Sequence, residues 1–165
     1  PETLEKILDD VNTINVSLKR KVPIFIKIAP DLDDSNVTEI LSVCEENNVS
    51  GLIATNTTIN PKTLKNPNRF EGGLSGKPLF NQSNKILRLL AKRKNASTIL
   101  IGVGGIFSAS DIYEKIKLGA SAVQIYTGFV YNGPNHIKKM EMELKNLLLS
   151  DGYKSIDGAV GALIR

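Results

Sequence analysis

Four short stretches of this sequence hold side chains or backbone suited to binding chemistry. The first is Lys27, set inside the apolar run Ile24-Phe25-Ile26-Lys27-Ile28-Ala29. On a central strand its ammonium would point into the mouth of a barrel. Unpaired burial there is costly, so it should meet an anion or an electron-rich ring. On an edge strand the same side chain snorkels to water. The second stretch, Thr55-Asn56-Thr57-Thr58, follows the run Gly51-Leu52-Ile53-Ala54. Its short polar side chains can donate to and accept from a planar heterocycle, or can simply start a turn.

The third stretch is Glu71-Gly72-Gly73-Leu74-Ser75-Gly76-Lys77-Pro78. Its spacing is not that of a P-loop, and its lysine precedes proline. Its amides can cradle a phosphate or belong to a surface loop. The fourth is a pair of strand ends, Gly102-Val103-Gly104-Gly105-Ile106 and Tyr126-Thr127-Gly128. Glycines let an anion approach backbone amides, and the helix after Gly105 adds a favourable dipole. Two neighbouring ends of this kind form a phosphate clamp or two ordinary turns. A single His136 and a single Cys44 exclude two-histidine and thiolate-rich metal sites, so no metal is expected. His136 reads as a surface residue, Cys44 as a small core residue, and Asp31, Asp33 and Asp34 as the start of a helix.

The elements that position these stretches alternate. Leu4, Ile7, Leu8, Val11, Ile14 and Leu18 recur at helical spacing. Strands are expected at 24–29, 51–55, 98–103 and 122–126. Helices are expected after Asp34 or Ser35, over 83–94, over 108–118 with Ser108 and Asp111 in capping-box spacing, and over 134–149 with Pro134 in the first turn. No strand–strand hairpin signal occurs. Repeated strand–helix order implies a parallel sheet with helices outside, its later strands buried on both faces.

A doubly wound sheet places its glycine-rich loop after the first strand. Here such turns follow the later strands, as in barrels that bind phosphate after their last two strands. The fold class expected is therefore α/β, a (β/α)8 TIM barrel. This chain would cover roughly its last four βα units, with residues 1–165 forming part of one domain.

Composition agrees with a packed domain and narrows the partners. Of 165 residues, 41% are hydrophobic and 23% charged, enough to build a core. Aromatics are 5% with no Trp, against a base-stacking platform. The net charge of +4 is mild and its bases are scattered, so no nucleic-acid partner is expected. No apolar run approaches the ~18 residues of a membrane helix. The chain starts at Pro1 in a helical pattern, which suggests a piece of a longer protein.

Taken together, Lys27-Ile28-Ala29-Pro30-Asp31-Leu32, Thr55-Asn56-Thr57-Thr58, Gly72-Gly73-Leu74-Ser75-Gly76-Lys77-Pro78-Leu79, Ile101-Gly102-Val103-Gly104-Gly105-Ile106 and Val123-Gln124-Ile125-Tyr126-Thr127 resemble the dihydroorotate dehydrogenases in type and order. The tail, Gly152-Tyr153-Lys154-Ser155-Ile156 with Gly158-Ala159-Val160-Gly161, is similar to the class 2, membrane-associated branch. The resemblance implies an FMN-dependent barrel that oxidises dihydroorotate to orotate in pyrimidine biosynthesis and passes electrons to a quinone. It implies Lys27 near the flavin ring, stabilising negative charge on reduced FMN. Thr55 would hydrogen-bond the flavin, and Asn56 and Thr57 would hold orotate. Ser75 and Gly76 would hold FMN, with Gly104, Gly105, Tyr126 and Thr127 at its phosphate.

The class 2 base is a serine of the first half of the barrel, and no serine here matches it. No catalytic residue is therefore assigned, and these residues alone are not expected to turn over. Quinone and membrane contact would run through the N-terminal region. Location would be the mitochondrial inner membrane in a eukaryote or the cytoplasmic membrane in a bacterium. The alternatives are another phosphate- or FMN-binding TIM-barrel enzyme and a non-catalytic pseudoenzyme.

Overall fold

A computed structural model describes residues 2–60 and 72–164. Residues 61–71, including Glu71 of the glycine-rich loop, lie outside the described residues. The chain runs α1 (Glu2–Ser17), β1 (Phe25–Ile28), α2 (Asp34–Glu46), β2 (Gly51–Ala54), a 3-10 turn (Lys77–Leu79), α3 (Phe80–Arg93), β3 (Ile99–Val103), α4 (Ala109–Lys117), β4 (Ala122–Gln124), α5 (Thr127–Asn132), α6 (Pro134–Ser150) and α7 (Ile156–Ala159). The four strands form one parallel sheet in chain order, β1-β2-β3-β4. Phe25 faces Gly51, Gly51 faces Ile99, and Ile101 faces Ala122. Parallel strands joined by crossover helices put every strand's C-terminal end on one side of the sheet.

Two apolar clusters hold the layers together. The larger joins Leu52, Ala54 and Leu100 of the sheet to Val37, Leu41 and Cys44 of α2 and to Ile86, Leu87 and Leu90 of α3. The smaller joins Ile112 and Ile116 of α4 to Met140 and Leu148 of α6. Cys44 is fully buried, and desolvation, reinforced by Glu45, pushes its thiol up to about 11. It is the core residue expected.

Several expectations shift. Helix α2 is capped by Asp33, not Asp34 or Ser35, because the Asp33 side chain accepts the Asn36 amide. Asp31 starts no helix. Its carboxylate instead accepts from the Thr58 hydroxyl, the Ile59 amide (3.0 Å) and the Gln82 amide (3.0 Å). Burial alone would raise that carboxyl, but these three donors outweigh it and hold it below its ordinary range.

Helix α3 starts at Phe80 because the 3-10 turn over Lys77–Leu79 leads directly into it. The fourth strand stops at Gln124, and Thr127–Asn132 coils into α5. The short α7 was likewise not anticipated. Strand β4 is not buried on both faces: Ala122 and Gln124 are exposed and Val123 is half-buried. It is an edge strand with no neighbour beyond it among the described residues. Helix α1 forms as its spacing predicts, yet only Leu8 of its stripe is fully buried, while Ile7 and Ile14 are exposed.

Candidate functional site

A cavity of about 270 Å³ opens at the C-terminal ends of the four strands. Every site residue expected from the sequence lines it: Lys27, Thr55, Asn56, Thr57, Ser75, Gly76, Gly104, Gly105, Tyr126 and Thr127. Phe107, Gln124 and Ile125 join them. Strand β1 supplies Lys27, whose side chain is exposed on the cavity face with no hydrogen-bond or ion-pair partner among the described residues. Thr55 follows β2 and is buried; its amide donates to the Val103 carbonyl at 3.2 Å and its hydroxyl to the Asn56 carbonyl at 3.0 Å. Asn56 is exposed and Thr57 half-buried.

Ser75 and Thr127 share a hydrogen bond of 2.9 Å between their hydroxyls, which ties the glycine-rich loop to the start of α5. Gly104 and Gly105 both have positive φ, 107° and 73°, which side chains disfavour. A Cβ on Gly104 would lie 3.1 Å from Leu79 and from Ser83, and one on Gly105 would lie 2.5 Å from Phe80. These glycines are there because the loop lies directly on α3. Their amides have no acceptor among the described residues. Tyr126 lines the cavity although it is 78% exposed overall.

The expected dipole contribution is different in detail. The N-terminus of α4 is already occupied by a carboxylate. Asp111 accepts the amides of Phe107 (2.9 Å) and Ser108 (3.0 Å), completing a capping box with the Ser108 hydroxyl. Lys77 pairs with the same carboxylate at 2.7 Å. The capping box therefore ties the loop before α4 to its first turn, and a carboxylate already stands at the positive end of the helix dipole.

Burial alone would raise the Asp111 carboxyl; the donors from Lys77, Phe107 and Ser108 outweigh it and hold it below its ordinary 3.8. A depressed folded value stabilises the protein above the unfolded value and is lost as pH falls through the folded one. Asp111→Ala should cost roughly 1–2 kcal/mol at neutral pH. Urea denaturation of both proteins across pH 2–7 should show that difference shrink in acid, and a constant difference would reject the role of the charge.

Three residues outside the expected set matter. Gln124 reaches the cavity from β4, and its alternation with Val123 and Ile125 was the available signal. His136 is half-buried, not a surface residue, and its Nε2 donates to the Phe107 carbonyl at 2.8 Å, bracing the cavity rim. Lys115 is fully buried behind the glycine loop. Its place on the Ile112–Ile116 stripe of α4 was the signal for it. Among the described residues no group of three or more His, Cys, Asp or Glu could hold a metal.

Residues 1–148 match the family model for dihydroorotate dehydrogenase. The chain is 45% identical over 144 residues to a dihydroorotate dehydrogenase (quinone) of Christiangramia forsetii, covering 87% of this chain and 42% of that protein. It is 41% identical to the enzyme of the same name from Myxococcus xanthus, covering 98% and 45%. A ligand-free DHODH crystal structure from Eimeria tenella superposes with a TM-score of 0.91 at 34% identity, covering 99% of this chain and 50% of that one. The chain spans less than half the length of the curated relatives it matches.

Proposed function

This chain belongs to the dihydroorotate dehydrogenase family, and we propose that it supplies the last four βα units of an FMN-binding (β/α)8 barrel. The barrel oxidises dihydroorotate to orotate in pyrimidine biosynthesis and delivers the electrons to a quinone. The observation that carries this reading is the convergence of Lys27, Thr55–Thr57, Ser75–Gly76, Gly104–Gly105 and Tyr126–Thr127 on one cavity. The first half of the barrel would lie against the open edges of β1 and β4. It would bring the catalytic base, the quinone site and the membrane contact. No described helix is long and apolar enough to cross a membrane.

The residues fit FMN. Glycine amides without acceptors suit a phosphate, and an unpartnered cation suits an electron-rich ring. When bound, FMN supplies the hydride acceptor, chemistry that side chains lack. Gly104, Gly105, Tyr126 and Thr127 would hold the phosphate and Ser75 and Gly76 the flavin, while Thr55 hydrogen-bonds the ring. Asn56 and Thr57 would orient the substrate ring over it. Lys27 would hold its positive charge where negative charge develops, which is the most effective place for a fixed charge. Ser75 is engaged with Thr127 and is no candidate for the proton-abstracting base. The 165 residues alone should therefore show no turnover.

The visible spectrum of the purified full-length protein tests the assignment. A flavin spectrum that releases FMN, with dihydroorotate bleaching it and a quinone restoring it, is expected. A colourless protein that cannot be reconstituted with FMN would leave a phosphate-binding barrel or a pseudoenzyme instead.

A further inference from the structure

Lys115 is 0% exposed, and its ammonium has three neutral acceptors: Asn84 Oδ1 at 2.7 Å, Ser83 Oγ at 2.9 Å and the Val103 carbonyl at 3.5 Å. It also lies 5.1 Å from the centroid of the Phe80 ring. No carboxylate among the described residues pairs with it. Asp111 on the same helix is taken by Lys77, and Glu114 accepts from Asn84 instead. A buried cation with no counter-ion is unfavourable, and proteins seldom keep one without a use.

Its position supplies the use. Val103, whose carbonyl it meets, directly precedes Gly104. A Cβ on Gly104 would meet Ser83 and one on Gly105 would meet Phe80, the same residues that enclose the ammonium. Lys115 therefore stands one residue layer behind the acceptor-free glycine amides. The cavity itself has Lys27 at its β1 side, but no cation among the described residues lines it at the glycine loop. At the nearby end of α4 the Asp111 carboxylate already stands, held by the Phe107 and Ser108 amides and by Lys77.

We propose that Lys115 is the positioning residue of the phosphate end of this cavity: its buried charge selects a phosphorylated flavin over an unphosphorylated one and fixes the Val103–Gly105 backbone through Ser83. The proposal rests on the flavin reading above. Desolvation lowers the lysine to about 8, against opposing pulls from Glu114 and Asp111, so it is charged at neutral pH and a bound dianion would keep it so.

The test uses the full-length apoprotein titrated with FMN and, separately, riboflavin, following quenching of flavin fluorescence. The wild type should prefer FMN. Lys115→Met removes charge and donor, and Lys115→Gln keeps a donor without charge. Each should weaken FMN binding by about ten- to fifty-fold while riboflavin affinity changes less than about twofold. Melting of the apoprotein should change little, because removing a buried unpaired charge is offset by the loss of the donor to Asn84 Oδ1.

Proportional loss of both flavins, or unchanged FMN affinity in either folded variant, overturns the proposal. So does a wild type that binds the two flavins equally, which needs no variant to fold. A wild type that binds neither flavin overturns the flavin reading and this one with it. FMN bound alike by wild type and variants overturns this one alone.

Discussion

Gly105→Ala should destabilise the protein by roughly 3 kcal/mol or more and empty it of flavin. Gly105 sits at φ 73°, where an L side chain carries a cost of about 1 kcal/mol before any contact is considered. The added Cβ would then stand 2.5 Å from the Phe80 Cβ, 2.7 Å from its Cα and 2.8 Å from its backbone nitrogen. These are rigid atoms at the head of α3 and cannot swing aside as a side-chain tip would. Moving α3 would disturb Ile86, Leu87 and Leu90, which pack on the sheet, and Ser83, which holds Val103. Gly133 is the control: its φ is 72°, but a Cβ there meets nothing within 4 Å. Gly133→Ala should therefore show only the conformational cost. Urea denaturation and flavin content of the two full-length variants decide the matter. A fully flavinated Gly105→Ala protein as stable as Gly133→Ala would reject the close-packed cradle.

Lys27→Met should leave the fold and FMN content nearly untouched and slow flavin reduction by about 10²–10³-fold. The asymmetry follows from the environment of Lys27. It is exposed on the cavity face and has no partner among the described residues, so its removal breaks no internal bond. What disappears is a fixed charge beside the place where negative charge would accumulate. Loss of transition-state stabilisation lowers kcat and kcat/KM together, whereas loss of simple substrate binding would raise KM alone. Stopped-flow reduction by dihydroorotate separates the two. A rate within about threefold of wild type at saturating substrate would leave Lys27 as a solvated edge residue.

The two predictions draw on residues that were legible in different degrees. Lys27 stood out because a lone ammonium in an apolar strand conflicts with its surroundings. Gly104-Gly105 stood out because it ends a strand-like run. Their convergence also followed from the strand–helix order, since parallel strands deliver all their C-terminal ends to one side. Helix α5 escaped because six residues span less than two turns and show no periodicity. The occupation of the α4 N-terminus escaped for another reason. Ser108 and Asp111 were recognised as a cap, but whether a cap leaves amides for a ligand depends on where the carboxylate points and on Lys77, thirty-four positions away in sequence. Lys115 escaped although it lies on the apolar stripe of α4, because a lysine in the last turn of a helix normally reads as a solvated cation facing the dipole. The exposed faces of α1 and β4 could not be read from hydrophobic spacing, which reports what a residue prefers and not what is present to cover it.

The order of the sheet has a consequence for how this region assembles in time. Each strand pairs with its successor in the chain, and the β2–β3 connection is by far the longest of the three. Closing it costs only about 0.6 kcal/mol more per doubling of length, but it must be closed before the pairing repays the loss. Loop closure by itself thus favours pairing β1–β2 and β3–β4 before β2–β3, an order that pulse-labelled hydrogen exchange during refolding would check. The bond from the Thr55 amide to the Val103 carbonyl crosses the β2–β3 seam, and the cavity straddles it. A molecule held by both Thr55 and Gly104 would act as a clasp on the junction with the longest loop to close, and if that junction forms late, cofactor loading would lengthen the lifetime of the folded state more than it would speed folding.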